Sequence, residues 1–402
     1  MNIPAAKHKM DILIAGAGIA GISSAIALGL SGHRVRIFER VQQMGEVGAG
    51  IQVSANAGHV YSALGMGDAL IAKSVPPDRW VVRLGKTGET LTAFDLGGPH
   101  LEQHGFPCCN IHRADLQEVL LNRLGEVAPE ALQLGAEVSG YEEDDFGVTL
   151  TLADGSNHRG DLLVAADGVR SAVRRKILGP DRAEFSGNNA WRCIVPAERL
   201  PKDIMADDHA AWVGPGRHFV MYWLRNRELM NVVGVVESDT DVEESWTVRA
   251  DWSEFKQDYA DWHEDVQTVI DASDRDNCFR WALNIRQPVN NWRSQRAILI
   301  GDAAHPMLPY LAQGAASAVE DAAILMRVLA DENDVPVALE RVQKTRTPRA
   351  AKVVESANRL RHINHMGDEQ ELRQAISRSA DLFADRDTWL YNYNPMTAPL
   401  AS

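Results

Sequence analysis

Three glycines in "GAGIAG", Gly16, Gly18 and Gly21, stand in G-x-G-x-x-G spacing between an apolar run, Asp11–Ala15, and an apolar segment from about Ile19 to Leu30. The first would permit a tight turn, the second would let a pyrophosphate reach the backbone, and the third would let helix and strand pack closely. Ala20 belongs to the same turn. Glu39 ends the next apolar segment, "RVRIFER", where an acid accepts from ribose hydroxyls and disfavours a 2′-phosphate. A bare glycine-rich packing turn would not need the strand, the helix and the acid together. Their combination points to a dinucleotide.

Two later carboxylates say which dinucleotide. Asp167 and Asp302 each end a continuous apolar run, "DLLVAADG" and "AILIGD". Either alone reads equally well as a helix cap. Together they suit a hydroxyl-rich ligand, and FAD has a ribityl chain that NAD lacks. The stretch "GDAAHPMLPYLAQGA", Gly301 to Ala315, then delivers a polar loop to the start of an apparent helix, "ASAVEDAAILMRVLA". A helix beginning near Gln313, Gly314 and Ala315 offers unpaired N–H groups and the positive dipole end, worth ~0.3–1 kcal/mol toward an anion such as reduced flavin. Gly314 would let a ring approach the backbone, Pro306 would stiffen the facing wall, and His305 reads as structural. His218 and Tyr222 lie four apart in "GRHFVMYWLR", so a strand there points both to one face. That face could be a substrate surface or a solvated sheet.

The elements that must position these groups follow a β-α-β start, with Asp11–Ala15 and "RVRIFER" as strands around the first helix. Residues 110–125 read as helical, with Leu116, Val119, Leu120 and Leu124 on one stripe. "GVTLTLADG" reads as a strand entering a hairpin. From Phe185 to Asn284 tryptophans become frequent and strands alternate with polar turns, before long helices return after Arg296. The expected division is a first nucleotide-binding part (1–184), a β-rich substrate domain (185–290), a second nucleotide-binding part (291–365), and a C-terminal helix with an extended tail (366–402).

As a set and in order, "GAGIAG" with Glu39 and Arg40, "EVGAGIQ", "HRADL", "ADGVRSAVR" and "GDAAHPMLPYLAQGA" resemble the single-component (class A) FAD-dependent aromatic hydroxylases, in the branch of salicylate hydroxylase, 3-hydroxybenzoate 6-hydroxylase and 6-hydroxynicotinate 3-monooxygenase. The resemblance implies an α/β fold: a Rossmann-like, GR2-type FAD-binding domain with an inserted β-sheet substrate domain and C-terminal helices. It places Arg113 against FAD, Asp167 near the pyrophosphate, Asp302 at the sugar portion, and Gly48, Ala49 and Gly50 near the isoalloxazine. It sets His218 and Tyr222 on the substrate side. NADH or NADPH would reduce FAD and leave, since no second fingerprint is present, and O2 would then form a C4a-hydroperoxide that hydroxylates a small phenolic acid. Pro309 departs from the Gln that 3-hydroxybenzoate 6-hydroxylases can carry there. Alternatives are a heteroaromatic hydroxylase, a non-hydroxylating flavin oxidase or dehydrogenase, and a non-catalytic flavin- or NAD-binding regulator.

Bulk properties exclude other classes. A net charge of -14 over 402 residues lacks the basic footprint of a nucleic-acid binder. Cys108, Cys109, Cys193 and Cys278 form no CxxC or zinc spacing, which suits a reducing compartment. The N-terminal residues superficially resemble a signal peptide, but the regularly placed glycines favour strand, turn and helix. These features point to a cytoplasmic protein without a membrane span, and leave a homodimer open. Purification is expected to yield a yellow, FAD-bearing protein, with Glu39→Ala retaining less flavin per polypeptide by absorbance. A colourless wild type that FAD cannot reconstitute would overturn this reading.

Overall fold

The computed structural model describes residues 3–45, 49–180, 183–204, 207–240 and 249–402. Its apolar runs form a five-stranded sheet in the order Ala297–Leu299, Leu162–Ala165, Asp11–Ala15, Arg34–Phe38, Leu132–Gln133. Every pairing is parallel. Such a sheet must be covered on both faces, and Leu13, Ile14 and Leu162 to Ala165 are fully buried. The helix Ile19–Leu30 packs on it and against the helix Gly314–Asp331 within one large core. The hairpin read in "GVTLTLADG" is the pairing of Gly147–Leu152 with Asn157–Gly160. The stripe Leu116, Val119, Leu120 and Leu124 is buried, but its helix is Arg113–Val127; residues 109–112 are instead a strand paired with Gly50–Val53. That pairing, a tertiary contact, overrides the helical pattern of the first residues.

The second sheet has seven strands, ordered Phe279–Ile285, Glu184–Pro196, Leu229–Glu237, Arg217–Leu224, His209–Gly214, Arg79–Leu84, Thr90–Asp95. Two of these strands come from the early part of the chain, and Arg79–Leu84 pairs in parallel with His209–Gly214. Strand alternation gives the sheet two distinct faces. Phe219 and Met221 join Trp191 and Trp212 in a core closed by two helices, Trp252–Asp258 and Glu264–Ala272. The tryptophans noted in sequence largely fill this core. His218 and Tyr222 point to the other face, where the His218 ring lies beside Tyr310 of the loop that precedes Gly314 and Tyr222 lies beside His209.

The helix Gly314–Asp331 carries two neighbouring acids, Glu320 and Asp321, that are almost wholly buried. The helix Val335–Asn364 answers them, despite Pro348 in its interior. Arg346 donates to Asp321 at 2.7 Å and to Glu320 at 2.6 Å, and Arg349 donates twice to Glu320 at 2.6 and 2.7 Å. Arg349 also holds the carbonyls of Trp389 and Leu390, and Arg327 those of Pro395 and Ala398, so the tail is pinned to the helices. No helix among the described residues is long and apolar enough to cross a membrane.

Burial pushes the Glu320 and Asp321 carboxyls up, but the guanidiniums, with His305 beside Asp321, pull both below their ordinary values of 4.5 and 3.8. Their contribution to stability is therefore complete above those values and is lost as pH falls through the lower folded-state values. Arg346→Met should leave two buried carboxylates short of a partner and cost about 3–5 kcal/mol at pH 7 by urea unfolding. A variant as stable as wild type would show that the pair is dispensable.

Candidate active site

The three glycines separate into three physical roles. Gly16 has φ +93°, and a Cβ there would lie 2.5 Å from the Ala166 carbonyl. A Cβ on Gly21 would lie 2.0 Å from the Gly16 carbonyl, so strand turn and helix could not close. At Gly18 a Cβ would meet nothing within 4 Å; it would only fill the cavity beside the turn. Ala20 is buried, and its Cβ would lie 2.9 Å from one added at Gly301. The strand ends at Phe38, one residue before Glu39, whose carboxylate accepts from the N–H of Ala17 at 2.7 Å and of Val41 at 3.1 Å. The acid thus stands at the turn and braces it.

A cavity of about 630 Å³ opens here. It brings together Gly16, Gly18, Glu39, Arg40, Arg113, Asp167, Asp302 and Pro306. Arg113 opens its helix, capped by the His112 ring, and its N–H donates to the Ala49 carbonyl at 2.9 Å. Asp167 caps with one oxygen, accepting from Ala172 N at 2.8 Å, while its buried Oδ1 has no hydrogen-bond partner. Burial raises its carboxyl pKa above the ordinary value, partly offset by the hydrogen bonds it accepts. Asp302 is exposed to the cavity, and the protein packed around it raises its carboxyl, partly offset by His305, Arg113 and Arg286. An orphaned acid oxygen, a glycine cradle and a basic rim fit FAD. The far wall, Trp281, Leu283, Asn284 and Arg286, belongs to the strand Phe279–Ile285 and the residue just after it. Sequence reading missed these residues, because alternation identifies the strand without saying which cavity it faces.

The loop from Gly301 is held from behind. Asp321 accepts from the Gly301 N–H at 2.8 Å and contacts His305 Nε2 at 2.6 Å. His305 is buried against Trp292, as a structural residue should be. Gln313 sits just before the helix but does not cap it; its amide is taken up by Ser54 and Asn56, each at 3.0 Å. The first N–H groups, at Gly314 and Ala315, therefore lack a side-chain cap, and a Cβ at Gly314 would meet nothing within 4 Å. Ala312 takes φ +53°, a left-handed conformation costing about 1 kcal/mol or more for a residue with a Cβ.

His218 and Tyr222 are each only 5% exposed, so their face is not solvated. His218 packs 5.1 Å from the Tyr310 ring, and Tyr222 lies 5.1 Å from His209. A Cβ on Gly50 would lie 2.6 Å from Tyr222 Oη, and Gly50 N donates to Asn231 at 2.7 Å. Gly50 and Ala49 thus join the cofactor half to the sheet; Gly48 lies outside the described residues. Burial, with a smaller effect from His365, holds the His218 imidazole well below 6.5.

A family described as FAD binding domain matches residues 9–357. The chain belongs to it, as a single-component FAD-dependent monooxygenase of the aromatic hydroxylase class. Among its relatives, the 3-hydroxybenzoate 6-hydroxylase of Polaromonas naphthalenivorans is 34% identical over 390 residues, spanning 96% of both chains. A 3-amino-4-hydroxybenzoate 2-monooxygenase of Streptomyces platensis is 34% identical over 398 residues, 98% of both. Klebsiella pneumoniae HpxO, solved with FAD and uric acid, superposes with a TM-score of 0.85 at 29% identity, covering 97% of this chain and 99% of that one.

Gly314→Val would send a branched side chain into the open space at the helix start. We expect lost FAD or a strongly altered flavin spectrum with an unchanged far-UV circular dichroism spectrum. Normal flavin content and turnover would show that the helix start does not meet the ring.

Proposed function

We propose that this monooxygenase hydroxylates a small phenolic acid, such as salicylate or 3-hydroxybenzoate, using NADH or NADPH as reductant. The observation that carries the reading is the placement of His218 and Tyr222. They sit on a buried sheet face, where His218 meets Tyr310 of the same loop whose Pro306 borders the cofactor cavity. Leu308 of that loop packs with Trp281 and Leu283, a flat apolar wall suited to an aromatic ring. Two relatives of equal identity act on hydroxybenzoates that differ in ring position, which supports the substrate class and leaves the position to be measured.

Bound FAD, once reduced by the pyridine nucleotide, would activate O2, from which one oxygen atom goes to the substrate and the other to water. The chain supplies position and charge. The uncapped N–H groups at Gly314 and Ala315 would favour negative charge on a flavin ring bound at the helix start. Tyr222, braced against Gly50, orients the substrate ring. His218 takes the proton from the substrate hydroxyl, because a phenol titrating near 10 is otherwise mostly neutral at pH 7 and a poor nucleophile. Leu308, Trp281 and Leu283 keep water from the reacting edge.

The test is NADH oxidation and oxygenated product with salicylate, substituted hydroxybenzoates and 6-hydroxynicotinate. His218→Ala should keep its FAD but lower hydroxylation, with a positioned base contributing ~10²–10⁴-fold, and should divert reducing equivalents to hydrogen peroxide. Wild-type product per NADH in that variant would remove His218 from the chemistry. Stimulated NADH oxidation without any oxygenated product would mark an oxidase.

A further inference from the structure

His218 does not end at the sheet. Its Nδ1 lies 2.7 Å from His365 Nε2, and both rings are buried. The two rings are 5.0 Å apart at their centroids, with Tyr310 beside both at 5.1 and 5.9 Å. His365 comes from a different part of the fold, at the C-terminal end of the helix Val335–Asn364. On its outer side, His365 Nδ1 has no hydrogen bond but stands 3.6 Å from Glu237 Oε1, and that carboxylate is 59% exposed. His365 and Glu237 both line a surface cleft of about 360 Å³, with Asn188 and Arg361 beside them. Three titratable side chains therefore run from the Tyr222 face to solvent.

We propose that His218, His365 and Glu237 form a proton exit from the substrate hydroxyl to this cleft, with His365 a positioning residue that acts through His218. The proposal rests on the reading of His218 as the group that faces the phenol. The step balances without a cation. The phenol O–H gives its proton to His218 Nε2 as His218 Nδ1–H passes one to His365 Nε2. His365 Nδ1–H passes one to Glu237, directly or through one water of the cleft. One proton leaves the substrate and one reaches the surface, the electron pair of the O–H bond stays on the phenolate oxygen, and each ring keeps a single proton.

The surroundings require such a neutral path. Burial, then Arg361 and His362, holds His365 down to about 4, and His218 is also well below 6.5. Neither ring can hold a phenol proton as a lasting cation near neutral pH. Of the other groups that face the pair, Tyr310 is neutral, its hydroxyl pushed up by burial, and Tyr259 donates to the His218 backbone carbonyl, not to the ring. Glu237 is the anion positioned to draw a proton outward.

The test uses the FAD-loaded enzyme and whichever of salicylate, 3-hydroxybenzoate and 6-hydroxynicotinate gives most product. His365→Ala opens a ring-sized gap beside the cleft, and His365→Gln keeps most of the volume should the smaller residue fail to fold. Both should retain FAD and substrate binding but form product at least about tenfold more slowly, within the range a positioned proton-transfer group contributes. Their rate should rise with pH as the phenol ionises unaided, where wild type is flatter. Added imidazole should restore His365→Ala in proportion to its concentration, and Glu237→Gln should shift the profile the same way with a smaller loss. A wild-type rate and pH profile in the His365 variants overturns the relay, as does a slow His365→Ala enzyme that imidazole never restores. If wild type hydroxylates none of the three compounds, the hydroxylase reading fails and takes the relay with it. If it hydroxylates one and only the His365 results fail, the relay alone falls.

Discussion

The carboxylate of Asp321 is the constraint on which the rest of the site depends. It is fully buried, and it accepts from the Gly301 backbone, His305 and Arg346 at once. Those three partners belong to a strand end, a loop and a distant helix. A buried charge is tolerable only when each of its lone pairs is used, so these elements have one mutual arrangement in which the acid is satisfied. Glu320 repeats the device one residue earlier, tying Asn56 at 2.6 Å and Arg349 to the same helix. Through Asn56 the constraint reaches Gln313 and Ser54, and so fixes the turn from which the helix at Gly314 begins. The loop is rigid where a cofactor ring would need a fixed wall, and it is held from behind, leaving its front free.

Much of the cofactor half was legible in sequence because its constraints are local. A G-x-G-x-x-G turn needs glycine for reasons visible within a few residues, and the clashes at Gly16 and Gly21 and the open space at Gly18 match those reasons one by one. Asp167 and Asp302 were readable as strand ends that deliver an acid. The ionic core was not readable. Glu320 and Asp321 sit in "SAVEDAAIL", an ordinary helical pattern, and their burial depends on Arg346 and Arg349, which arrive from another helix. The onset of the helix at Arg113 was misplaced for a similar reason, since Cys109–His112 becomes a strand only because Gly50–Val53 lies beside it.

The substrate half was legible in outline only. Shared strand face followed from period-two alternation, and that placed His218 with Tyr222. It could not show that His365, 147 residues further on, would meet His218, nor that Trp281 and Leu283 would form the wall opposite. It also missed the electrostatic character of His218. An imidazole is an ordinary base in water, and it is the depth of burial in the assembled sheet that lowers its proton affinity.

The seven-stranded sheet has a consequence for how this architecture can be rearranged. Its edge is made by Arg79–Leu84 and Thr90–Asp95, which precede the rest of the sheet in sequence, the next strand beginning only at Glu184, and are reached through the cofactor half. Arg79–Leu84 covers the side of His209–Gly214, and His209 in turn neighbours Tyr222. A contiguous graft beginning near Glu184 would leave that strand's hydrogen-bonding groups to be matched by a foreign edge. Substrate preference in such a chain is not a cassette that recombination can move in one piece. It passes intact only when both excursions of the chain into the seven-stranded sheet are inherited together.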